Sequence, residues 1–158
     1  MSLTPERHAE LKRYAIQLRR LVVESVHHAG AGHLGGPMSA AEMLVALYFE
    51  ELNIDPQAPR AEDRDRFILS KGHSSIGLYS VLALRGYFPV EELKTFDAID
   101  SRLQGHPDMS VLPGLDMSTG SLGQGLSPGL GMALSAKLKG QSFHTWVMLG
   151  DGDSQEGQ

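Results

Sequence analysis

Three histidines follow a glycine: His33 in Gly32-His-Leu-Gly-Gly-Pro37, His73 in Ser70-Lys-Gly-His73, and His106 in Gln104-Gly-His-Pro107. Imidazole donates to phosphates and sugar hydroxyls and moves protons near neutral pH. Three such loops meeting in one pocket would suit anion binding or acid–base work. A single one would read as an ordinary surface histidine. A three-histidine zinc site is the rival, but no pair has the short spacing of a helical or hairpin metal motif. A second kind of chemistry is written at the other end. Trp146-Val-Met-Leu149 runs into Gly150-Asp-Gly-Asp-Ser-Gln-Glu-Gly157. A carboxylate between two glycines at the carboxyl end of a buried strand suits a metal–phosphate site. Glycine lets the backbone approach a ligand, and Asp151 offers a hard oxygen to Mg²⁺ or Ca²⁺.

Thr119-Gly-Ser-Leu-Gly-Gln-Gly125 is also glycine-rich and precedes a helix. It is neither a Walker A sequence nor Gly-x-Gly-x-x-Gly after a strand. For Gly129 and Gly131 further on, tight helix packing is an equally good reading. Lys71 is placed to meet a phosphate, although a lone lysine beside a strand end reads more simply as solvent-exposed. His8, His27 and His28 read as surface residues or helix-dipole partners, and His144 as structural.

These residues must be positioned by recognisable elements. Thr4-Pro5 has the form of a helix start. Leu11, Tyr14, Ala15, Leu18, Leu21, Val22 and Val26 then recur at helical steps, giving an amphipathic helix of roughly 20 residues that stops near Gly30. Ser39-Ala-Ala-Glu42 has the form of a capping box that opens a second helix, with Leu44, Leu47, Tyr48 and Leu52 on its apolar face. The glycine loop around His33 would feed that helix N-terminus, which favours anions. Residues 53–65 read as loop and 67–69 as a strand. Residues 77–84 read as a helix, and Pro89 opens another. Residues 101–117 read as loop, a helix runs to about Lys139, and 145–149 form the second strand. Two strands separated by helices predict an α/β fold with a parallel sheet flanked by helices. Two strands alone make a poor sheet, so further strands are expected from beyond Gln158 or from another chain.

The 158 residues correspond to one domain in size, 41% hydrophobic and 21% charged. A net charge of −5 offers no basic patch for nucleic acid. No apolar run approaches a membrane span, and the N-terminus has no signal-peptide pattern, so the cytoplasm is the expected location. Cysteine is absent, which removes disulfides and thiolate chemistry. Glycine is abundant, 18 residues, and clusters around the histidines.

In this order the pieces resemble the transketolase family of thiamine-diphosphate enzymes, from about Leu11 to Gln158. The segments that carry the resemblance are Gly32–Ser39, Asp65–His73, Gln104–Asp108, Ser118–Leu126 and Leu149–Gly157. Leu34 stands where full-length transketolases usually carry Pro, and here the chain looks like the amino-terminal subunit of a split transketolase. The resemblance implies a thiamine-diphosphate-binding fold, with 1–158 as the diphosphate-binding domain, cut within its Gly-Asp-Gly motif. It assigns Asp151 to the divalent metal (Mg²⁺, or Ca²⁺ or Mn²⁺) and Gly152 to the diphosphate. His73 also falls at the diphosphate. Gly120, Ser121 and Leu122 match the loop that touches diphosphate and thiazolium. His33 and His106 match histidines facing the sugar donor. Glu156 matches a glutamate at the subunit interface that links two active sites. A further metal ligand, an Asn, would lie beyond Gln158.

The activity so implied is transfer of a two-carbon ketol unit from a ketose to an aldose through the cofactor's thiazolium carbanion. The glutamate that generates the carbanion belongs to a pyrimidine-binding domain, so a partner subunit or domain is expected, in a homodimer or heterotetramer. The lone chain is expected to be inactive. A deoxyxylulose-phosphate synthase would share Gly-Asp-Gly, but Ser70-Lys-Gly-His73 and Gln155-Glu156-Gly157 look like transketolase. An inactive fragment or scaffold is the non-enzyme alternative.

Overall fold

The computed structural model describes residues 3–158. Four α-helices and two strands appear in the order α1 (Pro5–Ala29), α2 (Gly35–Ala46), β1 (Arg66–Leu69), α3 (Ser75–Arg85), α4 (Leu126–Lys139) and β2 (Thr145–Met148). No helix among the described residues is long and apolar enough to cross a membrane.

The Thr4 side chain accepts from the Arg7 N–H, Pro5 sits in the first turn, and Gly30 closes α1 in the left-handed conformation, as the sequence pattern predicts. Leu11, Ala15, Leu18 and Val22 are buried along one stripe. α2 departs from expectation. It begins at Gly35, four residues before the supposed capping box. Met38 N–H already donates to the Leu34 carbonyl, and Pro37, which lacks an N–H, is tolerated in a first turn. Ser39 therefore lies inside the helix and bonds back to the Gly36 carbonyl. Glu42 reaches across to Arg19 of α1 at 2.5–2.6 Å instead of capping. A π-helical turn over Leu47–Glu51 ends α2.

α3 is buried from Ser75 to Ala83, a helix enclosed on all sides, as its nearly continuous apolar sequence requires. It packs against both α1 and α2, where Gly77 admits Pro37 and Leu44 at close range. The helix expected after Pro89 is a 3₁₀ stretch, Val90–Thr95.

β1 and β2 pair in parallel, Arg66 opposite Thr145 through Leu69 opposite Met148. β1 is almost wholly buried, while β2 is half-exposed. α4 lies along β2, and Gly129 makes room for Val147. The remaining face of α4 carries Leu126, Leu130, Leu134 and Leu138 to the surface.

Candidate active site

Both strands are parallel and adjacent, so their carboxyl ends open on the same edge, the usual ligand position in such sheets. β1 delivers Ser70, Lys71 and His73 there, and β2 delivers Gly150, Asp151, Gly152 and Asp153. The first turn of α2 brings Gly35 and Gly36. All of these but the fully buried Ser70, with Ser39 and Leu122, line a cleft of about 300 Å³.

Its floor is stitched together by hydrogen bonds. The Thr119 hydroxyl donates to the Leu69 carbonyl at 2.7 Å. The Gly125 N–H donates to Ser70 Oγ at 3.2 Å, and that hydroxyl donates to Asp153 Oδ1 at 2.8 Å. The same oxygen accepts from the Gly123 N–H at 2.7 Å, and Oδ2 accepts from the Gly150 N–H at 2.8 Å. The loop is too close for larger residues. A Cβ on Gly72 would stand 2.6 Å from the Thr119 backbone carbon, and one on Gly125 2.6 Å from Ser70 Cβ. Gly123 has φ +79°, the left-handed region that favours glycine, and a Cβ there would stand 2.6 Å from Glu156 Cβ.

The histidines gather at this edge. His33 and His73 meet ring to ring, 5.2 Å between centroids and tilted by 72°. His106 packs over Gly120, where a Cβ would come within 3.1 Å of its Cδ2. The His106 loop is held from beneath. The Tyr79 hydroxyl lies 2.9 Å from the Gln104 carbonyl and 3.2 Å from that of His106, and Ser75 Oγ donates to the Gly105 carbonyl at 2.8 Å. Asp97, with φ 58°, accepts from the Gly105 N–H at 3.1 Å.

Electrostatics follow from this packing. Burial lowers the His73 pKa, and repulsion from His33 and Lys71 lowers it further, so its ring is neutral near pH 7. Burial opposes ionisation of Asp153, but the donors Gly123, Gly150 and Ser70 outweigh it and hold its pKa below the usual carboxylate range. The Asp151 carboxylate is exposed and accepts no hydrogen bond among the described residues. Among the same residues no group of three or more His, Asp or Glu could hold a metal.

The structure thus brings His73, Leu122, Asp151 and Gly152 to one cleft, with His33 beside His73 and Gly120 beneath His106. Ser121 and Glu156 are exposed, and Glu156 lies against Gly123 rather than in the cleft. His8, His27 and His28 are surface residues; the His144 side chain is exposed, and the His144 backbone N–H donates to Asp65 Oδ1 at 2.7 Å. Lys71 corrects the sequence reading: it is only 7% exposed and lines the cleft. Asp153 carries no sequence signal of its own. Its role depends on Ser70 and Gly123, and no local pattern joins residues so far apart.

Residues 11–158 match the family model for the transketolase thiamine-diphosphate-binding domain. The chain belongs to the transketolase family. It is 44% identical over 153 residues to a 6-deoxy-6-sulfo-D-fructose transketolase subunit of Clostridium sp. (strain MSTE9), covering 97% of this chain and 56% of that protein. It is 43% identical over 139 residues to one of the subunits of the apulose-4-phosphate transketolase of Phocaeicola vulgatus, covering 88% and 49%. It therefore spans about half the length of these relatives. Transketolase from Pichia stipitis, solved with sedoheptulose 7-phosphate, superposes with a TM-score of 0.89 at 37% identity, over 93% of this chain and 23% of that one. The expected α/β fold and the likeness to amino-terminal subunits of split transketolases both hold.

Proposed function

We propose that this chain forms the diphosphate-binding half of a transketolase active site. With thiamine diphosphate and a divalent ion it would transfer a two-carbon ketol unit from a ketose, or ketose phosphate, to an aldose. The observation that carries this reading is the glycine-walled cleft at the carboxyl ends of β1 and β2, where Lys71, His73 and the Gly150–Gly152 turn converge.

The cleft fits the cofactor's diphosphate. Gly35, Gly36, Gly150 and Gly152 leave backbone open to a phosphate, and the N-terminal turn of α2 adds its free N–H groups and dipole. Lys71 supplies positive charge, and neutral His73 retains an N–H donor. Asp151 keeps a free carboxylate for Mg²⁺, or for Ca²⁺ or Mn²⁺. Gly120, Ser121 and Leu122 are assigned to the diphosphate and thiazolium. When bound, thiamine diphosphate supplies a nucleophilic thiazolium carbon. The exposed His33 and His106 would bind the donor's hydroxyls and move their protons.

One ligand group does not complete a magnesium shell, so further oxygens would be supplied by water, by the diphosphate or by other groups of the assembly. The pyrimidine ring is assigned to a partner, a carboxyl-terminal transketolase subunit or domain. The assembly would be a homodimer or heterotetramer in the cytoplasm, with Glu156 at the subunit contact. Relatives that are themselves named as subunits support this division.

Ketol transfer should be measured with the chain alone and with a partner carrying the pyrimidine domain, alongside calorimetric titration of thiamine diphosphate with Mg²⁺. Turnover is expected only with the partner. Full turnover by the lone chain would refute the half-site reading.

A further inference from the structure

We propose that Asp153 is the positioning residue of the diphosphate cleft, a buried carboxylate that fixes the Gly150–Gly152 turn and the 119–125 loop at the spacing one anion needs. This rests on the diphosphate reading above. A negative charge next to an anion site is costly unless its oxygens are already occupied. Here they are. Asp153 is 5% exposed, and its two oxygens accept from three donors on three segments: Ser70 after β1, Gly123 in the loop, and Gly150 after β2. Ser70 extends the clamp by accepting from Gly125. An ionised carboxylate is purely an acceptor, so it suits a position surrounded by N–H and O–H groups.

Asn has nearly the same shape but fails chemically. Whichever way its amide is turned, an NH₂ faces a backbone N–H, from Gly150 on one side or Gly123 on the other. Asp153→Asn therefore keeps the packing and breaks one arm of the clamp. Removal of the Ser70 hydroxyl by Ser70→Ala takes away another arm and leaves the charge.

The test uses the chain together with its pyrimidine-domain partner. The two calorimetric probes are thiamine diphosphate at saturating Mg²⁺ and inorganic pyrophosphate with and without Mg²⁺; Mg²⁺ itself is also titrated, and melting temperature is measured in parallel. Both probes are expected to weaken by about tenfold or more in Asp153→Asn, as for loss of a supporting residue around a bound ion. Ser70→Ala should act in the same direction, and the double variant should lose less than the two single losses combined, because they share one hydrogen bond. The amide resonances of Gly123 and Gly150 should shift together in Asp153→Asn without ligand. Probe affinities within twofold of wild type in a folded variant overturn the proposal. So does a loss confined to Mg²⁺ affinity with metal-free pyrophosphate binding unchanged, since Asp153 would then be a metal ligand. Should Asp153→Asn fail to fold, Ser70→Ala decides by the same criterion. If the wild-type complex binds neither probe, the diphosphate reading itself fails and takes this proposal with it.

Discussion

His73 shows how a residue's surroundings set its chemistry. Burial first, then repulsion from His33, Lys71 and His106, outweighs the attraction of Asp153, so its ring gains a proton only below the usual value of 6.5. The native state thus binds fewer protons than the unfolded chain in acid. The stability this site contributes is complete above about pH 6.5 and is lost as pH falls through the depressed folded value. An NMR titration should place the His73 midpoint below 6.5, and His33→Ala should raise it by removing both repulsion and cover. An unmoved midpoint contradicts this account. Asp151 gives a second test: with its lone free carboxylate removed, Asp151→Ala should lower Mg²⁺-dependent cofactor affinity at least about tenfold by calorimetry. The glycine-linked histidines and Gly-Asp-Gly were legible because type and local spacing carry them. The burial of Lys71 and the three-way grip of Asp153 were not, because each depends on segments far apart in the chain.

At the scale of elements, glycines separate into those that permit contact and those that merely occupy a helix. Gly72→Ala drives a methyl into the Thr119 backbone and should cost about 1–3 kcal/mol in chemical denaturation, with weaker cofactor binding. Gly131, within α4, has open space around its missing Cβ, and Gly131→Ala should stabilise by roughly 0.5–1 kcal/mol. Equal effects at both positions would defeat the distinction. Helix stripes and the Gly30 stop were readable in sequence. The start of α2 was not, since Ser39 and Glu42 satisfy a capping pattern while Leu34 to Met38 already form the turn. The 3₁₀ stretch after Pro89 likewise mimics a helix in composition.

At the scale of the molecule, the long loop after Thr95 is fastened by a buried ion pair. Arg64 binds both Asp116 oxygens at 2.5 and 3.0 Å, and Asp116 also accepts from the Phe67 N–H at 2.8 Å. Asp116→Ala leaves the Arg64 guanidinium without its counter-ion, held only by the Pro59 and Asp65 carbonyls, and the Phe67 N–H without an acceptor, and should cost about 3–5 kcal/mol in denaturant unfolding. The leucine stripe of α4 makes the isolated chain prone to associate. Replacing Leu134 and Leu138 with lysine should raise the concentration at which light scattering begins. The parallel α/β arrangement was legible from two apolar runs separated by helices.

The parallel pairing also fixes an order of events in time. α1, α2 and α3 meet within the first 85 residues and can collapse early, whereas the hydrogen bond that aligns the strand starts joins residues 79 positions apart. Closing so large a loop is entropically expensive and slow. During synthesis the helical half can therefore assemble on the ribosome while the cleft does not exist, and cofactor capture must wait until β2 and the turn after it have emerged.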